Sequence, residues 1–185
     1  MAVSSDDYDS PWKDALETFL PNCLALFFPI AYEVIDWTKP YTFLDQELRQ
    51  IELDAERGRQ VVDKLVPVFR LDGDEAWVLV HIEVQSQPDP DFAKRMFTYY
   101  YRLLDRSDRL VVSLTILGDE RPTWRPEGYD LDLWGYGVRF TFRSVKLLDY
   151  RARVTELEDN RNPFATIVLA HLRAQETRGN PAAGD

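Results

Sequence analysis

Residues 61–85 of the chain read VVDKLVPVFRLDGDEAWVLVHIEVQ. Two runs of mainly apolar residues, 61–69 and 76–85, flank the turn sequence LDGDE. Both alternating faces of each run are largely apolar, which is typical of strands covered on both sides in the middle of a sheet. The stretch therefore predicts an antiparallel hairpin at the centre of the fold.

Each predicted strand carries a carboxylate, Asp63 on the first and Glu83 on the second. An isolated charge in an apolar strand is costly to desolvate, so such a residue should be paired, protonated or bound to a cation. Two carboxylates on adjacent strands can converge, and hard oxygen ligands suit Mg²⁺ or Mn²⁺. Ordinary salt bridges at strand ends, with Lys64 beside Asp63 and His81 beside Glu83, are the alternative interpretation.

The turn decides whether the two carboxylates can meet. A three-residue loop of Asp72, Gly73 and Asp74 would place Asp63 directly opposite Glu83, on one face of the sheet. A two-residue Asp72-Gly73 turn, which the Asp-Gly propensity favours, would send them to opposite faces. The metal-site interpretation requires an odd-length loop or a bulge.

Periodicity and proline positions predict the other elements. Ser10 and Pro11 predict a helix start, with a kink or a second helix at Pro21. Asp89-Pro90 and Asn162-Pro163 predict two further helix starts. Residues 109–118 and 137–148 alternate as strands, whereas residues 36–56 are irregular and 118–128 form a polar loop. The expected fold class is α/β, with a central mixed β-sheet flanked by helices.

This order of elements also suggests a domain organisation. We expect a core domain over residues 9–150 and a C-terminal helical extension over 151–176. Residues 1–8 and 177–185 have the composition of disordered ends.

Composition narrows the classes of function. The 185 residues hold 22 basic and 32 acidic side chains, a net charge of −10, so any nucleic-acid contact needs a local basic patch. Cys23 is the single cysteine and lies in an apolar stretch, which predicts a buried thiol and excludes an intramolecular disulfide. The apolar runs are too short to span a bilayer and the first ten residues lack a hydrophobic segment, so we expect no membrane association and a cytoplasmic location.

Other catalytic patterns fail on missing residues. His81-x-Glu83 resembles the zinc deaminase motif, but that chemistry needs paired downstream cysteines. The sequence contains no G-x-S-x-G motif and no Walker loop, which argues against a serine hydrolase and a P-loop enzyme.

Asp63, a hairpin, and then Glu83-Val84-Gln85 resemble the core of the PD-(D/E)XK nucleases, with Gln85 in place of the usual lysine. More narrowly, residues 63–103, DKLVPVFRLDGDEAWVLVHIEVQSQPDPDFAKRMFTYYYRL, are similar to the family of recombination-promoting nucleases and transposase-like proteins within that superfamily. The likeness extends more weakly over residues 9–172. It implies a restriction-endonuclease-like core. The chain departs from the pattern at Val62, where the family motif has proline.

The resemblance implies roles for particular residues. Asp63, Glu83 and the backbone carbonyl of Val84 would bind Mg²⁺ or Mn²⁺, and Gln85 would orient the attacking water. One upstream acidic residue, either Glu17 or Glu47, would complete the catalytic group; the sequence does not choose between the two.

DNA would contact a basic stripe on the helix that follows the motif. The candidate phosphate-binding residues are Lys94, Arg95, Arg102 and Arg106. A solvated face of an amphipathic helix is the alternative for the same residues. The expected function is a metal-dependent DNA endonuclease, for which a homodimer would suit double-strand cleavage. The alternative is a catalytically inactive nuclease-fold module that binds protein or nucleic acid, which the net charge and Gln85 favour.

Overall fold

The computed structural model describes residues 6–54, 62–83 and 89–179. The helices are α1 (Asp6–Phe27), α2 (Pro29–Val34), α3 (Asp45–Asp54), α4 (Phe92–Ser107), α5 (Val154–Glu158) and α6 (Pro163–Gly179), with a 3₁₀ segment at Leu147–Arg153. The strands are β1 (Val62–Phe69), β2 (Glu75–Glu83), β3 (Val111–Leu117), β4 (Gly128–Leu133), β5 (Tyr136–Thr141) and β6 (Arg143–Lys146).

A mixed four-stranded sheet in the order β1-β2-β3-β6 forms the middle of the molecule. β1 and β2 are the antiparallel hairpin, and β2, β3 and β6 run parallel to one another. Helices cover both faces of this sheet, which confirms the predicted α/β class with a mixed sheet flanked by helices.

The two faces of the sheet bury different helices. On one face, Val66 and Val78 pack into the same core as α1 and α6. On the other face, Leu65 packs with Tyr99 and Leu103 of α4 and with the buried side chains of α3. Even-numbered residues of β1 therefore face α1, and odd-numbered residues face α4.

β1 lies at the edge of the sheet, not at its centre as predicted. Its outer edge is covered by the irregular segment 34–44, in which the Asp36 amide donates to Phe69 O at 2.8 Å and the Leu44 amide to Leu65 O at 2.8 Å. The segment covers the backbone of the free edge, while the helices on each side of the sheet bury the two apolar faces of the strand. Pro67 within the strand is a signal for an edge position, since proline cannot donate to a central ladder.

The helix boundaries follow the predictions only in part. Phe164 N donates to Asn162 Oδ1 at 2.9 Å, which confirms the predicted cap of α6. α1 begins at Asp6, before the predicted start at Ser10, and its kink has non-helical backbone angles at Phe19, two residues before Pro21. α4 begins at Phe92, so the proposed cap residue Asp89 lies outside the helix.

The second half of the chain differs most from the prediction. Residues 137–148, predicted as one strand, divide between β5 and β6, which belong to different sheets. β5 pairs instead with β4, an antiparallel strand that the sequence analysis did not predict. α3 likewise occupies a stretch that was predicted to be irregular.

In the ranges described, no helix is both long and apolar enough to cross a membrane.

Candidate functional site

The register of the hairpin brings Asp63 and Glu83 to the same face of the sheet. Asp63 pairs with His81, and Glu83 lies two residues further along β2. Since directly paired residues share a face and the side-chain period of a strand is two, Asp63 and Glu83 are diagonal neighbours on one face. That face is the one that packs against α4.

The loop that sets this register has three residues but not the three predicted. Arg70 N donates to Asp74 O at 2.7 Å, which leaves Leu71, Asp72 and Gly73 in the loop. Gly73 has φ +96°, the left-handed conformation that closes a three-residue hairpin loop. Neither register considered from the sequence is therefore the observed one: Asp63 pairs with His81 and not with Glu83, but the loop has an odd length, as the metal-site interpretation requires.

The apolar pattern of the strands explains why the short Asp-Gly turn is not used. Val66 pairs with Val78 on the α1 face, and both are buried. A slip of one residue would move Val78 to the other face and replace it in the core by a neighbour. Burial on both faces therefore overrides the local turn propensity.

Both carboxylate positions lie where the parallel strands end. The row through Asp63 and His81 continues to Thr115 on β3 and Ser144 on β6, and the Thr115 and Ser144 hydroxyls are 2.6 Å apart. The row through Glu83 continues to Leu117 and Lys146, the last residues of β3 and β6. The candidate ligands thus lie at the carboxyl edge of the parallel strands, a common position for ligand sites in α/β sheets.

Part of the predicted metal site lies outside the described residues. Val84 and Gln85 fall between residues 83 and 89, and for Asp63 and Glu83 the structure describes backbone and register only. Among the side chains that are described, no three His, Cys, Asp or Glu residues converge to hold a metal ion. The fit to Mg²⁺ or Mn²⁺ therefore rests on two oxygen donors of the right chemistry placed on one face.

Glu17 lies on the other side of β1 from Asp63. Its Oε1 accepts a hydrogen bond from Lys64 Nζ at 2.5 Å, and Lys64 points toward α1. Glu47 is exposed on α3. Of the two upstream carboxylates, Glu17 is thus bound to a strand residue next to Asp63, but on the opposite face.

The Lys64 side chain is the centre of a cluster that the sequence analysis missed. Lys64 is fully buried, and its Nζ lies 3.0 Å from both carboxylate oxygens of Asp45 as well as 2.5 Å from Glu17. The ammonium also lies 5.1 Å from the ring centre of Phe43. The available signal was a lysine at an even position of β1, where the neighbouring even residues are core valines.

A second buried ion pair lies beyond the carboxyl ends of β3 and β6. Asp119 and Lys146 are both buried and paired through their charged groups. The Arg121 amide donates to Asp119 Oδ1 at 2.9 Å, and Lys146 Nζ lies 5.5 Å from the ring centre of Trp124. A buried cation therefore stands in the same row of the sheet as Glu83. Asp119 belongs to residues 118–128, which the sequence predicts to be a polar loop.

The predicted basic stripe is largely engaged within the chain. Arg95 pairs with Asp89, Arg102 donates to Ile51 O at 3.1 Å, and Arg106 contacts the Gln50 side chain. Two of these arginines join α4 to α3. Lys94 is exposed.

Comparisons of the chain with protein-family models, with curated proteins and with solved structures find no match. The resemblance to the recombination-promoting nucleases therefore stays a hypothesis based on the residues quoted above.

Proposed function

We propose that the chain is a Mg²⁺- or Mn²⁺-dependent DNA endonuclease with a restriction-endonuclease-like core. The observation that carries the proposal is the register of β1 and β2, which puts Asp63 and Glu83 on one face at the carboxyl edge of the parallel strands. A structural salt bridge does not require two carboxylates on the same face of the sheet, whereas a site for a divalent cation does.

In this proposal each residue has a separate task. The carboxylates of Asp63 and Glu83, with the carbonyl of Val84, would hold the cation, which would supply Lewis-acid chemistry toward the scissile phosphate and a water molecule. Gln85 donates or accepts a hydrogen bond that orients this nucleophile for in-line attack. A glutamine has no proton to exchange near neutral pH, so it acts as an orienting group and not as a base.

DNA binding would rely on exposed cations of α4. Lys94 and Arg106 are exposed, although Arg106 also contacts Gln50. With a net charge of −10, binding should be weak. We expect Lys94→Glu to reduce DNA affinity more than it changes metal affinity.

Nicking of supercoiled plasmid tests the proposal. The full chain is incubated with Mg²⁺, Mn²⁺ or EDTA beside the Asp63→Ala and Glu83→Ala variants. Asp74→Asn is the matched control, because it removes an exposed carboxylate beside the loop at the opposite end of the same hairpin. Metal-dependent nicking that is retained in the control and lost in both alanine variants is the expected result. Equal nicking by all four proteins would contradict the assignment.

A noncatalytic nuclease-fold module is the second candidate. The intramolecular contacts of Arg95, Arg102 and Arg106 favour it, since these contacts compete with phosphate binding. Calorimetric titration with Mn²⁺ separates the two candidates. A folded wild-type chain that neither nicks DNA nor binds Mn²⁺ would support the noncatalytic module.

A further inference from the structure

The tip of the β4–β5 hairpin holds a tryptophan in an unfavourable backbone conformation. Leu133 pairs with Tyr136, so Trp134 and Gly135 form a two-residue turn, and both have positive φ, +59° and +83°. Such turns favour Asn-Gly, and the left-handed region is costly for a bulky residue. Trp134 is nevertheless 87% exposed, so burial in its own chain does not compensate for the strain.

The hairpin is an amphipathic ribbon. Its apolar face consists of the paired residues Tyr129 and Phe140, Leu131 and Val138, and Leu133 and Tyr136. Asp130 pairs with Arg139 on the opposite face, and their side chains form an ion pair at 3.1 Å. The charges of the ribbon are thus separated from its apolar face.

Only the inner half of this apolar face is covered. The rings of Tyr129 and Phe140 lie 5.5 and 5.7 Å from the ring of Phe97 on α4. The outer half is exposed, with Tyr136 at 82%. The name outer hairpin face is used here for its four residues, Leu131, Leu133, Tyr136 and Val138, together with the exposed turn residue Trp134.

A groove of about 660 Å³ adjoins the base of the hairpin. Its wall includes Phe97, Tyr100, Val138 and Phe140, and Ser113 of β3 lines it as well. Ser113 is only 6% exposed, and its hydroxyl oxygen has no hydrogen-bond partner among the described residues. This hydroxyl is therefore available to a hydrogen-bonding group that enters the groove.

The charge of this surface argues against a polyanion as its occupant. The outer hairpin face itself carries no charged side chain. The groove is lined by one acidic residue, Glu127, and two basic residues, Arg139 and Arg143, of which Arg139 is paired with Asp130. In a chain with a net charge of −10, a surface of this kind suits an apolar protein partner instead.

The size of the surface agrees with a dimer. An aromatic side chain buries about 150–250 Å², so Trp134 and Tyr136 alone expose on the order of 300 Å². The three aliphatic residues of the outer hairpin face and the groove extend this area toward the roughly 800 Å² that each partner contributes to a standard interface.

We propose that two copies of this chain associate about a two-fold axis through the outer hairpin face. Antiparallel packing of the two hairpins brings the tip of each over the base of the other. Each Trp134 then enters the groove of the other copy, where its indole N–H donates to the Ser113 hydroxyl. This arrangement covers the exposed apolar face and provides a hydrogen-bond donor for the Ser113 hydroxyl. It also accounts for a tryptophan at a strained position of the turn. It does not depend on the proposed nuclease activity.

Sedimentation equilibrium of the full chain tests this assembly. We expect a mass of twice the 21.6 kDa of one chain at micromolar concentration. Trp134→Gly should weaken dimerisation by about 100-fold or more, as for a central interface residue. The same variant should keep or raise the melting temperature measured for the monomer, because glycine relieves the backbone strain.

The Ser113→Ala variant provides a second test of the dimer. It should weaken dimerisation by about 3- to 10-fold, the equivalent of one hydrogen bond, without lowering the monomer melting temperature. Ile30→Ser is the control, since Ile30 is 78% exposed on α2, outside the outer hairpin face, and its replacement should leave the dimer intact. Leu133→Ser should also dissociate the dimer and replaces Trp134→Gly if that variant fails to fold. A monomeric wild type, or a dimer unaffected by these hairpin changes, overturns the proposal.

Discussion

Lys64 Nζ lies 2.5 Å from Oε1 of Glu17, so a fully buried strand lysine is bound to a partly exposed helix carboxylate. Asp45 supplies a second carboxylate to the same ammonium from α3. The cluster therefore joins β1 to both α1 and α3.

Lys64 is fully buried, whereas Glu17 and Asp45 are partly exposed. Removing the two carboxylates should therefore lower the stability of the fold more than removing the lysine. The double variant Glu17→Gln, Asp45→Asn leaves the Lys64 ammonium buried without a carboxylate, and we expect it to lose about 3 kcal/mol or more of unfolding free energy. Lys64→Met should change that free energy by less than about 1 kcal/mol, since both carboxylates can turn to solvent. Urea unfolding at pH 7 measures both values, and a more damaging Lys64→Met would contradict the prediction.

Gly73 should be the residue of the β1–β2 loop least tolerant of replacement. At φ +96° an added Cβ has free space around it, so the cost of Gly73→Ala is that of the backbone conformation, about 1–2 kcal/mol. Gly73→Asn should cost less, because asparagine tolerates positive φ better. Unfolding by urea measures the difference, and equal stabilities of the two variants would argue against the observed loop.

Asp149 predicts a defined dependence of stability on pH. Hydrogen bonds from the Arg125 guanidinium hold the pKa of Asp149 below its ordinary value. A lowered folded-state pKa stabilises the fold above the unfolded pKa of about 3.9, and this contribution is lost as the pH falls through the lower folded value.

We therefore expect Asp149→Asn to be less stable than the wild type at pH 7 and to approach it below about pH 4. Urea unfolding at pH 7, 5 and 3 tests this expectation. Arg125→Gln should show the same convergence, and a difference that does not shrink between pH 5 and pH 3 would exclude the ion pair as its cause.

Cys23 should be unreactive in the folded protein. The side chain is fully buried, and burial raises the pKa of its thiol, so both access and ionisation oppose reaction. We expect no release of thionitrobenzoate from Ellman's reagent at pH 8 until urea unfolds the chain. Rapid reaction of the native protein would indicate that α1 opens locally.

The central hairpin and the main helices could be predicted because their signals are local and repetitive. Phe92, Met96, Tyr99 and Leu103 recur at helical spacing, and all four are buried. The shared face of Asp63 and Glu83 was open in the sequence, since it depended on one residue of loop length. Burial on both faces of the strands determines the loop length, and this burial depends on tertiary contacts that the local sequence does not show.

The parts that escaped prediction depend on contacts between distant segments. The alternating residues 137–148 give no sign that the chain leaves one sheet for another near Phe142. Likewise, the side chains of α3 that are described as buried are Leu48 and Ile51, which stand among charged neighbours and give too weak a periodicity to identify a helix. Lys64 lies 47 residues after Glu17 and 19 residues after Asp45 in the sequence. Only the folded chain brings these three side chains together, so no local pattern could predict the cluster.

The segment that covers the outer edge of β1 also has a consequence for solubility. Hydrogen bonds from Asp36 and Leu44 occupy backbone acceptors that a foreign strand would need. At the opposite edge of the sheet, β6 has only four residues and gives a short template. Pairing of this sheet with strands of other molecules is thus blocked at one edge and limited at the other. Both features protect a sheet rich in valine and leucine from edge-to-edge aggregation.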